Sequence, residues 1–260
     1  MFWETADQVI QREVESVRVR RVILDQLEGG HKTGKELREA IRKDMAAQAL
    51  EAGAEKVNLA DFNVTDPKLY FNTKRLEELG IITSRKDSQL RKFALTPWAV
   101  HSVRRVLGVT RPIALLTSMS RPEDQRPFVT WLNDQKEFDV AKVHVIVEDR
   151  TFTRGSSRDL DRYLPDGAKA KWEIEWNDLP VDAAGNFDTN IPGDLMATQR
   201  EIDKIIVDNI TQNDLVIDLS AGPPLIVLAL SLLAMHYSIS AFFVRHKEGE
   251  TALTRVLPRE

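Results

Sequence analysis

Apolar residues in the first third of the chain recur with a helical period. Ile10, Val14, Val17, Leu24 and Leu27 predict one helix from about Thr5 to Glu28. Gly29-Gly30 ends it, because glycine tolerates the left-handed conformation past a helix C-terminus. Thr33 and Glu36 form a capping-box pair that opens a second helix with Leu37, Ala40 and Ile41 on one face. A third helix opens at Thr65-Asp66-Pro67, a capping side chain followed by proline, and runs to Leu79 before Gly80. Leu69, Leu76 and Leu79 fall on one side of it, with Thr73 nearby. Tyr70, Phe71 and Lys74 fall on the other side, flanked by Lys68 and Arg75. Ile81–Arg85 and Leu90–Leu95, around the polar turn Lys86-Asp87-Ser88-Gln89, read as a β-hairpin. Thr96-Pro97 starts a last helix carrying Val100, Val103 and Leu107, which ends at Gly108. The stretch Lys43–Asn63 either extends the second helix or adds a strand at Val57-Asn58-Leu59.

After Val109-Thr110-Arg111-Pro112 the pattern changes to alternating strands and helices. Ile113–Thr117, Lys142–Val147, Lys171–Trp176, Leu215–Asp218 and Ile239–Val244 read as strands. Ser120-x-x-Glu123 caps a helix toward Gln135; Met196–Asn209 and the almost wholly apolar Pro223–Met235 supply two more. Such alternation implies a largely parallel sheet with helices on both faces. The expected fold is therefore a small α+β unit over residues 1–108 and a Rossmann-like α/β unit over residues 109–260.

Composition removes several function classes. No cysteine is present, which excludes disulfides and thiolate zinc sites, and five scattered histidines suggest no metal site. The first residues lack the basic and apolar regions of a signal peptide. The longest apolar stretch, Ala221–Met235, falls short of the roughly 18–20 residues that span a bilayer. A cytoplasmic protein without membrane contact is expected. The net charge of −4 argues against nucleic acid, but its distribution argues the other way. Residues 1–107 carry 19 Lys+Arg against 16 Asp+Glu, while the remainder carries 17 against 24. Within Thr65–Arg105 the balance is 9 basic to 4 acidic. A basic segment inside an acidic chain is the pattern of a phosphate-binding surface, and also of a solvated charged face.

The order helix, helix, helix, hairpin, helix resembles a winged helix-turn-helix. The segment Lys74–Ile82 resembles the recognition-helix end and first wing strand of the MarR and ArsR regulator families, and the resemblance covers about Val9 to Val106. It implies double-stranded DNA as a partner. Lys68, Tyr70, Lys74 and Arg75 would face the major groove, and Arg85, Lys86, Arg91 and Lys92 in or beside the wing would meet phosphates or the minor groove. Phe71 is expected to pack on the second helix.

In a parallel α/β sheet, ligands bind beyond the carboxyl ends of the strands, where helix N-termini present free N–H groups to anions. Two loops qualify: Thr117-Ser118-Met119-Ser120-Arg121 and Asp218-Leu219-Ser220-Ala221-Gly222-Pro223-Pro224. The loop Phe152–Arg158 is a candidate lid or an ordinary surface loop. No dinucleotide fingerprint and no Walker A lysine motif occur, so a nicotinamide cofactor and ATP hydrolysis are not expected. His144, Trp131, Trp172 and Trp176 are expected in packing roles. The second loop resembles the CRISPR-associated Rossmann-fold (CARF) family. Asp218, Ser220 and Gly222 match its pattern, while Pro223-Pro224 stands where that family carries a basic residue. The resemblance implies a homodimer that binds a cyclic oligoadenylate. The two loops offer Thr117, Ser118, Met119, Ser120, Arg121, Ser220, Ala221, Gly222 and Pro223 as candidate contacts, with helix capping and surface charge as the alternative for Ser118, Ser120, Arg121 and Ser220. No cofactor and no catalytic residue are implied. A ligand-responsive transcription regulator is the leading expectation. An enzyme that cleaves the cyclic nucleotide, using Thr117, Ser118 or Ser220, and a winged-helix adaptor for another protein are the alternatives.

Overall fold

The computed structural model describes residues 4–87, 90–119, 128, 130–132, 134–136, 138–147, 172–179, 195–247 and 250–257. The chain forms two compact units, Met1–Thr110 and Arg111–Glu260.

The first unit begins with two helices, α1 (Ala6–Ser16) and α2 (Arg18–Glu28), where the apolar period predicts one. Val17 adopts an extended conformation between them. The break has a packing cause. A continuous helix through Val14 and Val17 would carry Arg21 inward, whereas the restart turns Ile23, Leu24 and Leu27 into the core. The strand β1 (Lys32–Thr33) follows, then α3 (Gly34–Glu51), opened by the Thr33–Glu36 capping box. The stretch after Lys43 thus continues the helix. Val57-Asn58-Leu59 forms no strand, and Leu59–Asp61 is a single 3-10 turn held by the Asn58 side chain. Helix α4 (Asp66–Glu78) is capped by Thr65 and has proline in its first turn. Strands β2 (Ile82–Asp87) and β3 (Leu90–Leu95) pair antiparallel, with Asp87 opposite Leu90. Lys86 and Asp87, expected in the turn, are therefore strand residues, and Ser88-Gln89 lies outside the described residues. β1 pairs with the far side of β3, giving the order β1-β3-β2. After a 3-10 turn over Pro97–Ala99 comes α5 (Val100–Leu107), ended by Gly108 at φ 73°. Ile10, Leu24, Leu37, Ile41, Leu69, Leu76, Phe93 and Val103 share one core.

The second unit is mixed α/β around a six-stranded, largely parallel sheet. Its strands are β4 (Ile113–Ser118), β5 (Val140–Val147), β6 (Glu173–Asp178), β7 (Asp214–Asp218), β8 (Ser240–Lys247) and β9 (Glu250–Leu257), ordered β6-β5-β4-β7-β8-β9. Among the described strands of this sheet, only β9, unanticipated from the pattern, pairs antiparallel. Because side chains alternate along a strand, Leu115, Val143, Val145, Val216 and Phe242 face one side, packed with Phe128, Trp131 and Leu132. The other face carries Ala114, Leu116, His144, Ile146 and Ile217. Helices α6 (Leu195–Asn209) and α7 (Pro224–His236) pack on each other, joined by a Tyr237–Asp203 hydrogen bond. The near-continuous apolar runs of β4, β5 and β7 follow from burial on both faces. Among the described residues, no helix is long and apolar enough to cross a membrane.

Candidate functional site

The sheet order creates one privileged position. β4 has β5 on one side and β7 on the other, and the chain winds outward in opposite directions from that pair. A crevice opens at such a switch point, beyond the carboxyl ends of the strands. The pairing of Leu116 with Ile217 sets the ends of β4 and β7 side by side, so Thr117–Met119 meets Asp218–Pro223.

Asp218 organises this place. Its carboxylate is fully buried and accepts from the Thr117 hydroxyl at 2.7 Å, from the Ser220 N–H at 2.9 Å, and from the Ser220 hydroxyl. Burial pushes its pKa up to about 6, against the pull of the Ser220 and Thr117 hydrogen bonds. The Ser220 hydroxyl also accepts from the Val244 N–H at 2.8 Å, which ties the loop to β8. Thr117 and Ser220, expected as ligand contacts, are thus occupied in shaping the loop. A hydroxyl that already donates to Asp218 has no second proton for a ligand.

Ser118 differs. Its side chain is buried, and its hydroxyl has no hydrogen-bond partner among the described residues. Gly222 lies directly against it, at φ 127°. A Cβ there would stand 2.3 Å from Ser118 Oγ. Glycine is required both for the backbone conformation and for this close approach. Met119 is buried, whereas Ala221, Gly222 and Pro223 are half-buried. Prolines 223 and 224 remove two of the N–H groups that a helix start normally presents. The N–H groups of Ala221, Gly222, Leu225 and Ile226 have no acceptor among the described residues. Ser120, Arg121 and the loop Phe152–Arg158 lie outside the described residues.

On the first unit, α4 buries Leu69, Thr73 and Leu76 and exposes Pro67, Tyr70, Phe71, Lys74 and Glu78. Phe71, expected to pack inward, is 66% exposed, because the face that reaches the core is already filled by Leu69 and Leu76. Tyr70 lies edge-on to it at 5.6 Å between ring centroids, with Lys74 Nζ 5.8 Å from the Tyr70 ring. Arg75 points back to its own fold. It holds Glu13 by two hydrogen bonds, of 2.9 and 3.4 Å, and Arg20 binds the same carboxylate. Burial alone would raise the Glu13 pKa, but the Arg75 hydrogen bond and the Arg75 and Arg20 charges outweigh it and hold the carboxyl below its usual range. Lys68 is half-buried, its Nζ 3.4 Å from Met45 Sδ. In the hairpin, Arg91 pairs with Glu77 at 3.1 Å and donates to Ser84 at 2.8 Å, and Lys92 pairs with Asp87 at 2.6 Å. Arg85 and Lys86 are exposed, with no ion pair among the described residues. The basic balance of Thr65–Arg105 is therefore partly spent internally, since Arg75, Arg104 and Arg105 each pair with an acid outside that segment.

His144 and the tryptophans take packing positions. His144 is buried, its Nδ1 3.4 Å from the Asn177 side chain, and burial lowers its pKa against the opposing Glu175 charge. Trp131 and Trp172 are core residues, and the partly buried Trp176 packs against the same cluster. Among the described residues no cluster of acidic or histidine side chains could hold a metal.

No family model matches the chain, and no curated protein does. Several solved structures resemble part of it. Protein VC1899 from Vibrio cholerae aligns over 56% of this chain and 33% of its own length, at 15% identity and TM-score 0.43. Can2 from Sulfobacillus thermosulfidooxidans, solved with cyclic tetra-adenylate, aligns over 54% and 36%, at 15% identity and TM-score 0.37. Csm6 from Enterococcus italicus, bound to cyclic hexa-2'-fluoro-hexa-dAMP, aligns over 55% and 36%, at 9% identity and TM-score 0.38. The chain spans about a third of the length of each.

Proposed function

We propose that the protein is a ligand-responsive DNA-binding regulator of CRISPR-associated genes. Its first unit serves as a winged helix-turn-helix, and its second senses a cyclic oligoadenylate in a homodimer. The observation that carries the sensor half is the pairing of Ser118 with Gly222 at the switch point. A buried hydroxyl without a partner is a costly feature unless something supplies that partner. The N–H groups of Ala221, Gly222, Leu225 and Ile226, without acceptors among the described residues, would supply anion-seeking donors in the same loop. A phosphodiester oxygen would meet the N–H groups, and it reaches the fully buried Ser118 hydroxyl when the Gly222 loop shifts on binding. The resemblance of Asp218, Ser220 and Gly222 to the CARF pattern narrows that anion to a cyclic oligoadenylate.

Sensing is favoured over cleavage by how the hydroxyls are used. Thr117 and Ser220 donate to a buried carboxylate, which holds them away from an in-line attack on phosphorus. A second copy is the expected cover for α7. That helix is apolar all round, and beyond its buried side it exposes Leu228, Leu232 and Met235 along one ridge. A two-fold pair along this ridge would repeat the adjacent loop and suit a symmetric ligand.

Calorimetry with cyclic tri-, tetra- and hexa-adenylate tests the sensor half. Wild type should bind one of them, and Ser118→Ala should bind it about 10- to 100-fold more weakly, the loss expected for a hydrogen bond to a charged group of about 1.5–3 kcal/mol. Absence of binding by wild type to all three would reject the ligand class. Equal binding by Ser118→Ala would reject the site.

A further inference from the structure

We propose that Phe71, with Tyr70 beside it, reads thymine through its 5-methyl group in the major groove. This rests on the DNA-binding reading of the first unit. Two adjacent aromatic residues occupy the outward ridge of α4; Phe71, at 66% exposure, has most of its surface without protein contact, and Tyr70, at 48%, about half. They cannot turn inward, because Leu69, Thr73 and Leu76 fill the face of α4 that meets the core. Both rings lie in the N-terminal half of the helix, the part of a recognition helix that reaches base edges. Their surroundings suit nucleic acid. Lys74 stands on the same ridge. The hairpin is joined to α4 by the Glu77–Arg91–Ser84 contacts and presents Arg85 and Lys86 without ion pairs among the described residues. A phenyl ring offers no hydrogen bond, so it can distinguish base pairs only by apolar contact. In the major groove the thymine methyl is the apolar feature that marks one base.

The test begins by selecting duplexes that the full chain binds from a random-sequence pool. The best duplex is then remade with deoxyuridine in place of each thymine in turn, which removes the methyl and leaves every hydrogen-bonding group. Burial of one such group corresponds to about fourfold in affinity. Uracil at one or two positions should therefore weaken wild-type binding about fourfold, while Phe71→Ala should bind both forms alike. Phe71→Leu, which keeps an apolar contact, should retain part of the preference. Thermal melting should be unchanged in both variants, since the ring is mostly outside the core. Indifference of wild type to uracil at every position would overturn the inference while leaving DNA binding intact. So would a full thymine preference in Phe71→Ala. Failure to select any duplex would instead reject the DNA-binding reading on which it rests.

Discussion

Gly222→Ala is the substitution that the switch-point geometry penalises most directly. Two costs combine. The backbone sits at φ 127°, where an L side chain is strained by about 1–3 kcal/mol. The new methyl would also lie 2.3 Å from Ser118 Oγ and 2.7 Å from Ser118 Cβ, so β4 or the loop must move, at a further overpacking cost of about 1–3 kcal/mol. The second unit should therefore lose about 2–6 kcal/mol. The two costs can be separated. Ser118→Gly removes both clashing side-chain atoms and leaves a 3.3 Å approach to the Ser118 carbonyl carbon, but it cannot relieve the φ strain. The double variant should thus recover the overpacking share, a coupling of about 1–3 kcal/mol between sites in contact. Hydrogen exchange of the β4 and β7 amides under native conditions reads the stability of this unit without reference to the other. Unchanged protection in Gly222→Ala, or strictly additive effects in the double variant, would refute the contact.

Three further outcomes follow from the charges. Glu28→Ala removes the carboxylate that lies 2.8 Å from the buried Arg104 guanidinium and should cost about 3–5 kcal/mol; a urea titration showing less than 1 kcal/mol lost would refute a stabilising buried pair there. Asp218 takes up its proton in the fold up to about pH 6 but in the unfolded chain only near its ordinary value of 3.8. The Asp218 share of stability should therefore fall as pH rises from about 4 to 6, while the buried His101 and His144, whose pKa values burial lowers, act in the opposite sense. Asp218→Asn should accordingly gain stability with pH more steeply than wild type over that range, and parallel pH profiles would contradict the buried carboxyl. Arg75→Ala should lower the melting temperature because it deprives buried Glu13 of a partner, whereas Lys74→Ala should leave melting unchanged and weaken DNA binding; the reverse pattern would misassign both residues.

The elements that the sequence discloses are those written in local periodicity or capping chemistry. The Thr33–Glu36 box, the Thr65-Asp66-Pro67 start and the alternation after Pro112 each depend on residues a few positions apart. The elements it conceals depend on distant partners. β1 is two residues long and exists because Phe93 and Lys92 lie opposite, too short a segment to show a period. β9 carries the polar residues of an edge strand and is defined by its pairing with β8. The break at Val17 arises because two helices bury their apolar sides better than one. Phe71 was legible in principle, since Pro67, Tyr70, Lys74 and Glu78 share its face, but an isolated phenylalanine reads by default as core. At the candidate site, Asp218 and Ser220 form a visible motif. That the Ser220 hydroxyl is held by Asp218 and Val244, while the Ser118 hydroxyl has no partner among the described residues and Gly222 packed on it, depends on residues 24 and 104 positions away along the chain.

Coupling of an anionic nucleotide to DNA within one molecule underlies the proposed regulation. It is tested by measuring the affinity of the full chain for a selected duplex, with and without a saturating cyclic oligoadenylate. A change of about 5- to 150-fold is expected, equivalent to a coupling of about 1–3 kcal/mol, and by reciprocity the same factor in nucleotide affinity when DNA is present. Equal DNA affinity at saturating nucleotide would contradict it.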